Sequence, residues 1–181
     1  MIKYILLGFL NYQPMTGYEL KQTIDETSAH FWHAHHSQIY TTLRQMEKDG
    51  LVTSRLVQEE SAPERRIYTI TAPGRKELKA WLDTTLTEVV PIKEDLLVRL
   101  FFSAQRDPQK VLAELRLQRE LHQAKADAYD AIAHHMATEV PVRRGLERDK
   151  NFWRLTLDMG MRYEAAYLDW LDHSIRTIEA L

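Results

Sequence analysis

The chain has 181 residues, a formal net charge of −2 at pH 7 and no cysteine. The lack of cysteine excludes disulfides, thiolate zinc fingers and a cysteine nucleophile. No apolar run approaches the roughly 20 residues of a membrane span, and no small-residue cleavage site follows "MIKYILLGFL", so we expect a cytoplasmic protein without a membrane partner. Because the charge is nearly balanced, any contact with nucleic acid must depend on a local patch.

Three helices are predicted in the first fifty residues. Apolar residues at helical spacing mark residues 2–11 as the first helix. Thr16 and Glu19 have the spacing of a capping box and begin the second helix. Ser37 is a good N-cap for a third helix, which buries Ile39, Leu43 and Met46 and ends at Gly50.

A β-hairpin and a fourth helix follow. "LVTSRLVQ" and "RRIYTIT" are rich in β-branched and aromatic residues, and the polar "EESAPE" separates them. Three helices followed by a hairpin is the layout of a winged helix-turn-helix domain. Thr71 then caps a fourth helix, with Pro73 in its first turn and Leu78, Trp81 and Leu82 as its buried stripe.

The second half of the chain is predicted to be helical, so the fold class is mainly α. Pro91 marks the boundary between a domain at 1–88 and a domain at 91–181. A short apolar helix, a long helix to about Met136 and a last helix at about 149–178 follow. The last helix has an apolar stripe and a second stripe of Tyr163, Tyr167 and Trp170. The second stripe suits either a second subunit or a wide core face.

The segment "SAHFWHAHHSQIY" contains four of the eight histidines: His30, His33, His35 and His36. His30 and His33 have a spacing that one helical face could use for zinc, but no acidic residue completes an H-E-x-x-H arrangement. Polar loop histidines packed beside Trp32 are the favoured interpretation. We also find no nucleophile elbow, no phosphate-binding glycine loop and no dinucleotide motif, so we expect neither an enzyme nor a cofactor.

The third helix has the composition of a DNA-reading surface. Its face opposite the buried residues carries Gln38, Thr41, Thr42 and Gln45, and Arg44 and Lys48 lie at the edge of that face. Glutamine can pair with adenine and arginine with guanine, while threonine bonds to bases or phosphate. An ordinary polar helix face has the same composition. Arg65 and Arg66 are expected to begin the second hairpin strand near the phosphate backbone, although acidic residues flank the tip.

Two segments, "FWHAHHSQIYTTLRQMEKDGLV" and "ERRIYTITAPGRKEL", resemble the signature of PadR-type transcriptional regulators. "MIKYILLGFL" and "MTGYEL" are similar to the first two helices of that family, and "PIKEDLLVRLFF" with two long helices resembles the C-terminal domain of its phenolic-acid-responsive branch. The resemblance implies a homodimeric repressor whose C-terminal helices form the dimer and whose winged helices read a palindromic operator. By the same resemblance, the DNA contacts are Ser37, Gln38, Tyr40, Thr41, Arg44, Arg65 and Arg66.

The resemblance also implies a small aromatic effector, such as a phenolic acid, that releases the protein from DNA. An aromatic wall and a partner for a carboxylate would come from Tyr18, Trp32, His36, Lys93 and Tyr163, each of which could instead serve packing. Two alternatives stay open. One is a multidrug-sensing regulator with an apolar pocket between subunits, and the other is a histidine-dependent metal-binding or protein-interaction module.

Overall fold

The computed structural model describes residues 1–28, 31–32, 34–59, 62–89, 91, 93–138 and 146–180. Its contacts divide the chain into two compact units, Met1–Val89 and Val90–Leu181. Across the described ranges, every helix is too short or too polar to cross a membrane.

The first unit is a winged helix, as predicted. Its elements are α1 (Ile2–Tyr12), β1 (Met15–Thr16), α2 (Gly17–Thr27), α3 (His36–Lys48), β2 (Val52–Glu59), β3 (Ala62–Ile70) and α4 (Ala72–Leu82). The three strands form an antiparallel sheet in the order β1-β3-β2. The two-residue strand β1, which pairs with Tyr68 and Ile67, was not predicted because two residues are too few to show an alternating pattern.

The core of this unit lies between the helices and one face of the sheet. The most deeply buried apolar side chains of the first three helices are Leu6, Leu7, Leu10, Leu20, Ile24, Ile39, Leu43 and Met46. Val52, Tyr68 and Ile70 close the core from the sheet. Tyr4 of α1 stacks on Trp81 of α4 with ring centroids 4.4 Å apart, which joins the first and last helices of the unit.

Local capping fixes where the helices begin and end. The Thr16 hydroxyl accepts from the Glu19 N–H at 3.1 Å, and the Glu19 carboxylate accepts from the Thr16 N–H at 2.7 Å, which is the predicted capping box. At the end of α3, Gly50 has φ of 70°. The N–H groups of Gly50 and Leu51 donate to the carbonyls of Glu47 and Met46, the pattern of a Schellman motif.

Three local predictions were wrong. The N-cap of α3 is His35 rather than Ser37, because the Gln38 side chain reaches back to the His35 N–H at 3.2 Å and extends the helix. β3 begins at Ala62, so Arg65 lies inside the strand rather than at its start. Leu82 is 65% exposed because α4 ends there, beyond the core-facing Leu78.

The second unit contains α5 (Asp95–Phe101), a single 3-10 turn (Ser103–Gln105), α6 (Pro108–Thr138) and α7 (Glu147–Glu179). Its core joins all three helices through Leu96, Val111, Leu112, Leu115, Leu171 and Ile175. Tyr167 and Trp170 pack against this cluster, so these two members of the aromatic stripe serve the chain's own core. Tyr163 is 39% exposed.

Candidate nucleic-acid interface

One side of α3 is polar and open to solvent along its length. Ile39, Leu43 and Met46 are buried on the other side, at 1% exposure or less. The exposed residues of the helix are His36, Ser37, Gln38, Tyr40, Thr41, Arg44, Gln45 and Lys48. The predicted separation of a core face from a hydrogen-bonding face is therefore present in the structure.

Tyr40 stands at the edge of this face and is partly packed. Its ring is 39% exposed and lies against Gly17, the first residue of α2. It also lies nearly parallel to the His36 ring, with centroids 6.2 Å apart. The Arg44 Nε donates to the Tyr40 carbonyl oxygen at 3.3 Å, which keeps the start of the arginine side chain along the helix.

The β2–β3 hairpin is the wing of the winged helix, and Arg65 and Arg66 lie on opposite faces of it. Leu56 is opposite Arg66 and Val57 is opposite Arg65, and neighbouring residues of a strand point to opposite sides. Arg66 therefore shares the face of buried Tyr68, whereas Arg65 belongs to the outer face. Contact of both arginines with the phosphate backbone stays a prediction. The two side chains lie on different sides of the sheet.

Arg55 is a basic residue of the wing that the sequence did not single out. It is exposed and pairs with Ile67 across the sheet, so it belongs to the same outer face as Arg65 and lies diagonal to it. The alternation of "VTSRLVQ" places Arg55 on one face of its strand, but only the hairpin register shows that Arg65 shares that face.

Glu47 joins α3 to the hairpin. Its carboxylate accepts from the Ser54 hydroxyl of β2 at 2.5 Å and lies 3.5 Å from the Arg66 guanidinium of β3. Burial raises the pKa of the nearby Tyr68 hydroxyl, and Arg66 opposes that shift while Glu47 adds to it. Glu47, Ser54, Arg66 and Tyr68 thus form one polar group, which we call the Glu47 cluster.

The predicted effector residues are divided between the units. In the first, Tyr18 is 65% exposed and Trp32 packs against the core, with an indole nitrogen that has no hydrogen-bond partner among the described residues. His36 lines an open cleft of about 660 Å³, together with Lys21, Asp25, Ala34, His35 and Ser37. Lys93 and Tyr163 belong to the second unit. The five-residue set stays a prediction.

The metal alternative involves residues that the structure describes only in part. Within the described ranges, no group of three or more histidine, aspartate or glutamate residues could hold a metal ion. His30 and His33, which had the helical spacing, lie outside the described residues.

A polar group of the second unit is buried between α6 and α7. Glu164 is 1% exposed, and its carboxylate contacts the His122 Nδ1 and lies 3.7 Å from the Lys125 Nζ. The His122 ring stacks on Tyr167, with centroids 3.9 Å apart. Burial is the main cause that raises the pKa of Tyr167 to about 12, and its hydroxyl has no partner in the described part of the chain.

Two sequence families cover most of the chain. Residues 6–80 match the transcriptional regulator PadR-like family, and residues 92–179 match the family described as virulence activator alpha C-term. Residues 6–80 therefore belong to the PadR-like family of transcriptional regulators. The predicted family and the predicted winged-helix fold are confirmed. The relatives are transcriptional regulators and not enzymes.

Two curated relatives match the chain from end to end. The negative transcriptional regulator PadR of Bacillus subtilis is 26% identical over 180 residues, covering 99% of this chain and 98% of the relative. A probable transcriptional regulator of Mycobacterium tuberculosis is 27% identical and covers 98% and 97%.

Solved structures share the fold of both halves. The crystal structure of Bacillus subtilis PadR in complex with operator DNA has a TM-score of 0.83 at 24% identity, covering 98% of both chains. The Vibrio cholerae virulence activator AphA has a TM-score of 0.77 at 23% identity, covering 99% of both. At these identities the likeness establishes the fold alone.

Proposed function

We propose that this regulator is a homodimeric repressor that binds a palindromic operator and is released by a small aromatic acid. The carrying observation is the exposed polar face of α3 opposite its fully buried side. A helix of this kind in a winged helix enters the major groove and reads base edges there. The Bacillus subtilis relative is a negative regulator, and its crystal structures include complexes with operator DNA and with p-coumaric acid.

The proposed DNA contacts come from the domain at 1–88. Gln38, Thr41 and Arg44 face the bases, because their amide, hydroxyl and guanidinium groups suit base edges. Ser37 at the helix N-terminus and the Tyr40 hydroxyl face phosphate, where uncharged donors position a protein without reading sequence. Arg65 reaches phosphate from the outer face of the wing.

The proposed effector is a phenolic acid, and the domain at 91–181 would serve both dimerisation and effector response. The candidate effector residues are Tyr18, Trp32 and His36 in the first unit, and Lys93 and Tyr163 in the second. Aromatic rings suit the ring of such an acid, and histidine or lysine suits its carboxylate. A ligand that prefers the released state by about 10² in affinity contributes about 3 kcal/mol of coupling against DNA binding. His36 lies two residues before Gln38, so a ligand there would act next to the DNA-reading face.

The DNA-binding part is tested by fluorescence anisotropy with the DNA upstream of the protein's own gene and a scrambled duplex. We expect specific binding that weakens with salt and falls about 10-fold to 100-fold in Arg44→Ala. Lys76→Ala removes an exposed charge from α4 and should leave the affinity unchanged. Equal binding to both duplexes would overturn the proposal.

The effector part is tested by adding phenolic acids to the preformed complex. We expect release from the wild type, and DNA binding without release in His36→Ala and Lys93→Ala. Unchanged release in both variants would exclude His36 and Lys93 as effector contacts. Release by cationic drugs alone would favour the multidrug alternative, and stoichiometric zinc binding without DNA specificity would favour the metal-binding alternative.

A further inference from the structure

Glu47 of α3 makes polar contacts with both long strands of the wing. It lies near the C-terminal end of the helix, two turns after Tyr40 and on the same side. One carboxylate oxygen accepts from Ser54 on β2, and the other lies 3.5 Å from Arg66 on β3. A single carboxylate therefore connects the proposed recognition helix with both strands.

The Glu47 cluster lies where the hairpin leaves the core. Val52, Tyr68 and Ile70 are buried at the base of the hairpin, but Leu56, one pleat beyond Ser54, is already 57% exposed. Past this point the ladder becomes irregular, with a register shift between Val57 and Glu59. Apolar packing thus holds only the base of the wing, and the Glu47 cluster provides the next attachment to the body of the unit.

The Glu47–Arg66 pair contributes little to the free energy of folding, so its importance is in how it orients the side chains. The side chains of Arg66 and Glu47 are 46% and 33% exposed, and an ion pair of that kind adds little to folding. The Ser54 hydrogen bond and the proximity of Arg66 to the Tyr68 hydroxyl nevertheless restrict the carboxylate and the guanidinium to one arrangement.

We propose that Glu47 and Arg66 are positioning residues that fix the wing relative to α3, while Arg65 and Arg55 on the outer face contact phosphate. This inference rests on the proposed DNA-binding function. It replaces the expectation that Arg65 and Arg66 act alike with a division of roles between the two faces of the hairpin. Arg66 then affects operator affinity by its contact with Glu47, and not by a contact with DNA.

A direct contact between Arg66 and phosphate would change the operator affinity in the opposite direction. If Arg66 contacted phosphate directly, Glu47 would compete with the DNA for that guanidinium and would also repel the backbone. Glu47→Gln would then tighten operator binding. Arg66→Ala would lower the slope of log affinity against log salt concentration by about 1, the amount expected for the loss of one phosphate contact.

The experiment compares Glu47→Gln, Arg66→Ala, their double variant and Arg65→Ala by anisotropy across a salt series, with operator and scrambled DNA. We expect Glu47→Gln and Arg66→Ala each to weaken operator binding about fivefold without changing the salt slope. The double variant should be no weaker than either single variant, because both break the same contact. Arg65→Ala should lower the salt slope by about 1.

Glu77→Gln is the matched control, because it breaks the Lys3–Glu77 pair of similar exposure between α1 and α4. It should leave operator affinity unchanged. Tighter binding of Glu47→Gln, a reduced salt slope in Arg66→Ala, or additive losses in the double variant would overturn the inference.

Hydrogen exchange without DNA separates this inference from the proposed function. Glu47→Gln should speed exchange of the β2 and β3 amides about fivefold, while Glu77→Gln should not. Unchanged exchange would overturn the positioning role. A wild type that binds both duplexes equally would instead overturn the proposed function, and the exchange result would still decide whether Glu47 holds the wing.

Discussion

The ring of Tyr40 lies so close to Gly17 that a Cβ at residue 17 would be 2.5 Å from its Cε1. The first residue of α2 therefore sets the position of an aromatic side chain at the edge of the proposed DNA-reading face. We expect Gly17→Ala to push the Tyr40 ring outward and to weaken operator binding about tenfold, with a small loss of stability, because the ring is partly exposed and can move. Anisotropy and thermal unfolding measure the two effects.

Gly8→Ala is the matched control for this substitution. Gly8 lies inside α1, and a Cβ there would meet no atom within 4 Å. Alanine should therefore raise the free energy of unfolding by about 0.4–1 kcal/mol and leave operator affinity unchanged. If Gly17→Ala bound DNA as tightly as Gly8→Ala, the Tyr40 position would not matter for recognition.

Gly74 is required by a close approach of two backbones. A Cβ at this position, in the first turn of α4, would lie 2.1 Å from the Leu51 carbonyl oxygen. Backbone cannot move aside as a side chain can, and that carbonyl already accepts from the Thr71 N–H. We expect Gly74→Ala to lower the free energy of unfolding by about 1–3 kcal/mol in chemical denaturation. A loss as small as the effect of Gly8→Ala would contradict the close approach.

The sequence predicted the four helices and the hairpin of the first unit because their signals are local. The capping box at Thr16, the cap at Thr71 and the spacing of Ile39, Leu43 and Met46 each act within one or two helical turns. The N-cap of α3 was misplaced by two residues because Ser37 is the stronger capping residue by type. His35 and Gln38 form the actual start, which depends on a longer side chain folding back.

The relationships that decide the site are not local. Glu47 lies 19 positions before Arg66, and Arg55 lies ten before Arg65, so only the hairpin register shows which side chains share a face. Two adjacent arginines look equivalent in "ERRIY", yet the pleat separates them. The contact between Gly17 and Tyr40 likewise needs the packing of α2 against α3, which no spacing in either helix discloses.

The Gln38 side chain can bind the His35 N–H or an adenine, and one substitution distinguishes these two roles. In the free protein its side chain accepts from the His35 N–H, whereas reading adenine also requires its amide N–H donor. We expect Gln38→Glu to keep the cap and the melting temperature, since a carboxylate suits a helix N-terminus. Its operator affinity should fall more than about tenfold, because it lacks the donor and repels phosphate. Undiminished affinity would leave Gln38 with a capping role alone.

Glu164 should be the most costly charge to remove from the second unit. It is almost completely buried, and its carboxylate contacts His122 from the facing helix. We expect Glu164→Ala to lower the free energy of unfolding by about 3 kcal/mol, because it leaves the imidazole without its partner. Urea denaturation followed by circular dichroism, at matched protein concentration, measures the loss.

Asp172→Asn is the comparison for that variant. Asp172 also pairs α7 with α6, through Arg119, which holds the pKa of this carboxyl below its usual value. The side chains of Arg119 and Asp172 are each more than a third exposed. We therefore expect Asp172→Asn to lower the free energy of unfolding by less than about 1 kcal/mol. Equal losses in the two variants would show that burial of Glu164 is not what makes its contact strong.

Tyr167 should make the second unit sensitive to alkali. Burial, then Glu94, Tyr163 and Glu164, raise the pKa of its hydroxyl to about 12, above the value of about 10 for an unfolded chain. The stability that this shift represents is complete below about pH 10 and is lost as the pH rises through about 12, because the unfolded chain ionises first. Tyr167→Phe removes the ionising group and should resist unfolding in that range.

At neutral pH the same substitution should be neutral or slightly stabilising, because the Tyr167 hydroxyl is buried without a partner among the described residues. Thermal unfolding at about pH 8 and about pH 11 measures both effects. Tyr18→Phe, which removes a hydroxyl from a ring that is 65% exposed, is the control and should show no gain in alkali. If Tyr167→Phe and the wild type lost stability in parallel up to about pH 12, the hydroxyl would be ionising equally in the folded and unfolded chains, and the raised pKa would be refuted.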